Sequence, residues 1–264
     1  MDATQSERAA RFRALHEGDT FIIPNPWDAG AARVLEALGF PALATTSAGF
    51  AFTLGRRDGG ATLDEVSAHV ELLARTTSLP LSVDLENGYG PRAEDAAAAI
   101  ERVAAAGAVG GSIEDYDPDT GLYERERAVE RVAAAVEAAR RLDFPFTVTA
   151  RAENHIRGNP DIADTIGRLQ AYELAGADVL FAPGLRTPEE VRTVCAAVGR
   201  PVNVLAHAGL TLQQIVQAGG RRVSVGGALT WVAVHAVVEA ATRIRDDGDF
   251  SAMRGPGEIR DWLA

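Results

Sequence analysis

Cysteine is nearly absent: Cys195 is the one thiol in 264 residues. That excludes an internal disulfide framework and a zinc cluster built from thiolates, and it points to a reducing compartment. Cys195 itself falls on the apolar side of EEVRTVCAAVG and reads as a packed thiol, not a nucleophile. Long apolar runs are missing as well. No stretch reaches the length needed to span a bilayer, and the opening MDATQSERAARFRALHEGDT has no apolar core of the signal-peptide kind. The expectation is a soluble, cytoplasmic protein with no membrane partner. Positive charge is in short supply: 26 Lys and Arg stand against 37 Asp and Glu, a formal net charge of −11. Nucleic-acid binders concentrate basic residues, so no nucleic-acid partner is expected.

What is present suffices for a sizeable core, with 47% hydrophobic and 24% charged residues, close to the globular average. Eight short apolar runs recur: FIIPN at 21–25, ALATTS at 42–47, LSVDLE at 81–86, VGGSIED at 109–115, FTVTARAE at 146–153, DVLFAP at 178–183, VNVLA at 202–206 and RVSVGG at 222–227. Helix-forming stretches alternate with them at 28–38, 63–76, 92–106, 124–142, 160–175, 188–198 and 212–218. Several end in glycine-containing pairs that close helices. This alternation predicts one α/β domain over 1–264, a (β/α)8 TIM barrel with a C-terminal helical segment at 228–264. A doubly wound open sheet is the competitor, but its first turn would carry G-x-G-x-x-G, and here it reads NPWDAGAA. The segment after the eighth strand contains WVAVHAVVEAA, an apolar helix that needs something to cover. A neighbouring subunit is one option.

Polar residues collect at the C-terminal strand ends, the active-site face of such a barrel. Ser47 closes the second strand, Asp84 and Glu86 the third, Glu114 and Asp115 the fourth, Arg151 and Glu153 the fifth, and His207 follows the seventh. Side chains alternate along a strand, so Asp84 and Glu86 are expected on one face, as are Arg151 and Glu153. Acids converging on one mouth repel unless a cation relieves them. An all-oxygen set suits Mg²⁺, with Mn²⁺ the substitute, better than zinc. The bland alternative is that these acids cap helices or pair with rim arginines. Arg151 offers a planar donor fork to a substrate carboxylate, or else a salt bridge to Glu153 or Glu114. Ser47 and Gly49 offer hydroxyl and backbone donors to the same substrate, or serve the turn. His155 and His207 are acid/base candidates or solvated loop residues.

The runs TTSAGF, GRRDGG, SVDLENGYG, GSIEDYDP and TARAEN occur in the order found in the isocitrate lyase/phosphoenolpyruvate mutase superfamily, which this chain resembles from about residue 24 to 227. The resemblance implies a Mg²⁺-binding barrel acting on a small 2-oxo or 2-hydroxy carboxylate through an enolate. It also implies a homodimer or homotetramer with the last barrel helix exchanged between subunits. On this basis Asp84 contacts the metal most directly, and Asp58, Glu86 and Glu114 hold it largely through water. Trp27, Ser47, Gly49, Arg151 and Asn203 bind substrate, and Arg151 also neutralises the enolate oxygen. The superfamily's lyases carry K-[KR]-C-G-H after the fourth strand. Here the loop reads DYDPDTGLYERERAV, without that cysteine. It also lacks the lysine and asparagine of the phosphonopyruvate branch, so the chain falls outside both well-defined subgroups. The proton donor must then be Tyr123, Glu124, a metal-bound water or His207. The expected function is a Mg²⁺-dependent carbon–carbon lyase. The alternatives are P–C bond chemistry on phosphonopyruvate and a non-catalytic keto-acid-binding barrel. The loop at 116–126 is expected to act as a lid.

Overall fold

The computed structural model describes residues 3–263. In chain order the strands are β1 (Phe21–Ile23), β2 (Leu43–Ala44), β3 (Leu81–Asp84), β4 (Gly110–Glu114), β5 (Tyr116–Asp117), β6 (Gly121–Leu122), β7 (Thr147–Arg151), β8 (Val179–Phe181), β9 (Val202–Leu205) and β10 (Arg222–Ser224). The helices are α1 (Gln5–Glu17), α2 (Ala29–Ala37), α3 (Ser47–Thr53), α4 (Leu63–Thr76), α5 (Ala93–Ala105), α6 (Arg125–Arg140), α7 (Ile162–Leu174), α8 (Pro188–Ala197), α9 (Leu212–Gln217), α10 (Ala228–Asp247) and α11 (Ile259–Trp262). Eight strands pair in parallel in the order β1-β10-β9-β8-β7-β4-β3-β2. Across the seam, Ala44 N–H donates to the Pro24 carbonyl at 3.1 Å. Asn25 reinforces it: its amide donates to Thr45 O at 2.9 Å, and its carbonyl oxygen accepts from Val225 and Gly226 N–H. The eight-stranded barrel expected from the alternation is therefore present, closed at the seam by a side chain as much as by a ladder.

Each strand is shorter than its apolar run, because the polar end of each run leaves the ladder to enter the mouth. Four helices begin with Thr at the N-cap and Glu or Gln three residues on: Thr4/Glu7, Thr62/Glu65, Thr187/Glu190 and Thr211/Gln214. These reciprocal boxes satisfy amide donors that a helix start otherwise leaves open.

Two helices depart from the expectation. α1 is so polar that its apolar stripe is reduced to Ala9 and Phe12, with His16 the third buried residue. It plugs the N-terminal end of the barrel. The Phe12 ring lies 2.7 Å from where a Cβ on Gly110 would stand, so the plug needs that glycine. α3 begins at Ser47, where the sequence suggests a strand end. Thr46 caps it, its hydroxyl accepting from Gly49 N–H at 3.3 Å. The loop expected to act as a lid forms the β5–β6 hairpin, its turn held by Asp117 accepting from Asp119 and Thr120 N–H at 2.9 Å each.

Inward-facing side chains follow the ladder. One row runs Glu114, Arg151, Phe181, Asn203, Arg222. Because barrel strands are tilted, such a row descends as it crosses them. It begins at the last residues of β4 and β7 and ends at the first residue of β10. Arg151 therefore sits at the mouth and Arg222 near the floor. α10 stands apart: Thr230 is the buried residue among its 20. Among the described residues, no helix is long and apolar enough to cross a membrane.

Candidate active site at the barrel mouth

The ladder of β3 stops at Asp84. Its carboxylate accepts from Ser47 N–H at 3.2 Å through Oδ2 and from Glu86 N–H at 3.3 Å through Oδ1. Asp84 N–H donates to the Thr45 hydroxyl at 2.9 Å, which ties the end of β3 to the start of α3. Glu86 is not a strand residue. Its φ is 48°, a left-handed value costly for a side chain with a Cβ, and Tyr89 at 60° is a second case in the same turn. The pair Asp84/Glu86 is thus brought together by a tight turn, not by strand alternation. Burial, reinforced by the charges of Asp84 and Asp58, pushes the Glu86 carboxyl up to about 7. Tyr89 donates its hydroxyl to Glu86 Oε1 at 3.3 Å.

Arg151 closes β7 and is the hub of the mouth. Its guanidinium lies 3.2 Å from Glu114 Oε2 and 3.5 Å from Asp84 Oδ1, and it pairs with Glu153 through Nε. The Phe181 ring lies 5.4 Å away. Burial alone would make Arg151 easier to deprotonate, but three carboxylates outweigh it and hold the cation charged. Glu114 is displaced the other way: burial raises its pKa against the pull of Arg151, with Glu153 and Asp84 adding to the rise. Arg157 completes the network, bonding Glu153 Oε2 at 2.9 Å and approaching Glu114 Oε1 at 3.9 Å. Beneath it, Asp115 is a structural acid. It accepts from Glu153 N–H at 2.7 Å, Arg168 at 3.0 Å and the Tyr172 hydroxyl at 2.5 Å.

A cavity of about 200 Å³ opens beside this hub. Of the expected site residues, Ser47, Asp58, Asp84, Arg151 and Asn203 line it, and Trp27 and Gly49 do not. Glu86 and Glu114 stand behind Asp84 and Arg151. Trp27 packs its Cβ against α3 at Gly49. Gly49 has a steric role of its own: an added Cβ would meet Thr46 Cγ2 at 2.6 Å and Thr230 Oγ1 at 2.7 Å. Tyr123 and His207 are not brought to the cavity. The Tyr123 hydroxyl is shared with Asp117 Oδ2 at 3.1 Å and Asn87 Nδ2 at 3.2 Å, under the guanidinium groups of Arg127 and Arg131. Burial raises its pKa further. His207 is exposed and accepts from Gly209 N–H at 3.0 Å.

Sequence reasoning passed over Arg157, Ser82, Ser112 and Arg222, the last three of which line the cavity. The alternation Arg222/Ser224 in RVSV held the signal for Arg222, since both must face inward if either does.

Among the described residues, no three carboxylate, imidazole or thiolate groups are close enough to enclose a cation by themselves. The donor set fits a hydrated hard cation instead. It is all oxygen, and Asp84 reaches the cavity while the other carboxylates stand behind it or at its rim. Burial is the main cause that raises Glu86 and Glu114, with neighbouring carboxylates adding to it, and a cation beside them would favour their charged forms.

Comparison with known proteins follows the same line. The phosphoenolpyruvate phosphomutase family profile matches residues 12–245. An oxaloacetate decarboxylase of Rhodopseudomonas palustris (strain BisB5) is 31% identical over 252 residues, which cover 90% of this chain and 85% of that one. A crystal structure from Burkholderia cenocepacia J2315 is 50% identical, with a TM-score of 0.95 over 98% of this chain and 96% of that one. A phosphonopyruvate hydrolase complexed with oxalate and Mg²⁺ is 26% identical, with a TM-score of 0.86 over 98% and 95%.

Proposed function

The chain belongs to the phosphoenolpyruvate phosphomutase family, and from that premise we propose that it is a Mg²⁺-dependent lyase. It cleaves or forms a C–C bond in a small 2-oxo or 2-hydroxy carboxylate through an enolate. The observation that carries this reading is the placement of Arg151 beside Asp84 in one small cavity: a fixed cation next to a carboxylate that can hold another. Cleavage beside a 2-oxo group leaves an electron pair on carbon, and an electrophile at the oxo oxygen must accept it. Lysine Schiff bases do this in some enzymes, but this chain contains no lysine.

Asp84 would hold the metal most directly, with Asp58, Glu86 and Glu114 acting through water. When bound, the metal supplies Lewis-acid polarisation of the oxo group. Arg151 faces the same oxygen and stabilises the charge that develops only as the bond breaks, where binding energy accelerates chemistry. Its orientation is held from behind by Glu114 and Glu153. Ser47, at the start of α3, and Asn203, on β9, would orient the substrate. The C–C reading draws support from the oxaloacetate decarboxylase relative.

A second reading, P–C bond chemistry, draws support from the likeness to phosphonopyruvate hydrolase, and the cavity is small enough for either acid. The test is purified protein with Mg²⁺ offered oxaloacetate, methylisocitrate-type acids and phosphonopyruvate, with pyruvate, glyoxylate and phosphate monitored. Pyruvate or glyoxylate without phosphate is the expected result. Phosphate release selects the second reading. Tight binding of an acid with no product would make the barrel a binding protein.

A further inference from the structure

Arg222 is a buried cation that the reading above leaves unused. It opens β10 at the deep end of the ladder row and is 5% exposed, yet it lines the cavity. Its Nε donates to Asn203 Oδ1 at 2.8 Å and its Nη2 to Thr149 Oγ1 at 3.0 Å. Its Nη1 lies 3.4 Å from His16 Nε2. His16 Nδ1 is 2.9 Å from the Phe12 carbonyl, which requires a proton on Nδ1 and leaves Nε2 as the acceptor. All three partners are therefore neutral. A guanidinium has five N–H donors in a rigid fork, and three are engaged here, so each terminal nitrogen keeps one to offer.

Among the described residues, no carboxylate pairs with Arg222. Arg151 of β7 and the buried Arg168 of α7 each pair with at least two, and the buried Arg131 is instead surrounded by the carbonyls of Asn87, Gly90 and Arg92. A buried cation without a counter-charge is costly, and burial drags the Arg222 pKa down to about 9. The Ser82 and Ser112 hydroxyls face the same space, and among the described residues neither has a protein hydrogen-bond partner. A guanidinium fork and two open hydroxyls make a floor suited to a compact anion.

We propose that Arg222, with the Ser82 and Ser112 hydroxyls, binds a second anionic group of the substrate, carried on the third carbon of a 2-oxo acid. Carboxylate and phosphonate share this chemistry. The inference rests on the function proposed above, in which the first carboxylate and the oxo group sit at Arg151 and Asp84. It makes Arg222 the residue that selects dianionic acids over their uncharged isosteres.

Calorimetry on the Mg²⁺-loaded full chain tests it with four probes: oxalate, 2-oxobutanoate, 3,3-difluorooxaloacetate and phosphonopyruvate. Oxalate reports the mouth alone. At least one of the last two is expected to bind about a hundredfold tighter than 2-oxobutanoate, and the tighter of them identifies the anionic group. Arg222→Met removes that preference while oxalate affinity stays within about threefold, and Arg222→Lys retains part of it. A wild type that binds oxalate but shows no preference over 2-oxobutanoate overturns the anchor alone. So does a folded Arg222→Met that keeps the preference. A wild type that does not bind oxalate overturns the metal-site reading instead. Should Arg222→Met fail to fold, the lysine variant decides: a folded Arg222→Lys with the full wild-type preference overturns the anchor.

Discussion

Asp84 does two jobs with one carboxylate. It anchors the amides of Ser47 and Glu86, and it presents an oxygen to the cavity beside Arg151. Asp84→Ala is expected to abolish Mg²⁺ binding by calorimetry while far-UV circular dichroism stays unchanged. Metal affinity equal to wild type would remove Asp84 from the metal site. His16 gives a pH signature at the other end of the barrel. Burial, with Arg222 adding, lowers its pKa from 6.5 to about 3. The unfolded chain therefore binds a proton that the folded chain refuses. Stability from this group is complete above about pH 6.5 and is lost as pH falls toward 3. Denaturant midpoints measured across that window should fall with pH, and His16→Gln should flatten the part of the slope that His16 supplies.

At the scale of elements, α3 is where packing and chemistry meet. It presents Ser47 to the mouth and seats Gly49 between Thr46, Trp27 and Thr230 of α10. Gly49→Ala overpacks this junction and should cost about 1–3 kcal/mol, read as a Tm lowered by several degrees. An unchanged Tm would show that α10 yields easily. The β5–β6 hairpin occupies the segment expected to act as a lid. Here Tyr123 is engaged below it with Asp117 and Asn87. Tyr123→Phe should leave turnover within about tenfold of wild type, less than removal of a general acid costs. A loss of several thousandfold at unchanged metal affinity would make Tyr123 the proton donor.

At the scale of the whole molecule, α10 is the feature a single chain leaves unexplained. Val232 and Val237 are each 67% exposed, Val238 56% and Trp231 42%, an apolar face of the kind that marks an interface. A dimer or tetramer is expected by light scattering at micromolar concentration, and Val237→Glu should shift it toward smaller species. A stable, soluble monomer of the unmodified chain would remove the case for helix exchange.

Barrel architecture was legible because two periodicities alternate eight times, and strand and helix cannot exchange their hydrophobic patterns. The cluster of Asp84, Glu114 and Arg151 was legible because the ends of parallel barrel strands must share one face, whereas Glu86 joins it through a turn that alternation did not foresee. α1 was not, since a plug that buries little more than Phe12 and His16 leaves almost no amphipathic trace. The orientation of Tyr123 was not legible, because its place in a loop says nothing about which way a hairpin turns a side chain. Arg222 shows the deeper limit. Alternation tells which strand residues point inward, but not how far the strands are sheared past one another. That shear sets Arg222 below Asn203 and leaves a charge at the barrel floor. Sequence by itself determined the fold and the chemistry gathered at its mouth. Only the closed tertiary structure decided what lies beneath, because depth in a barrel is a property of all eight strands together and of no single one.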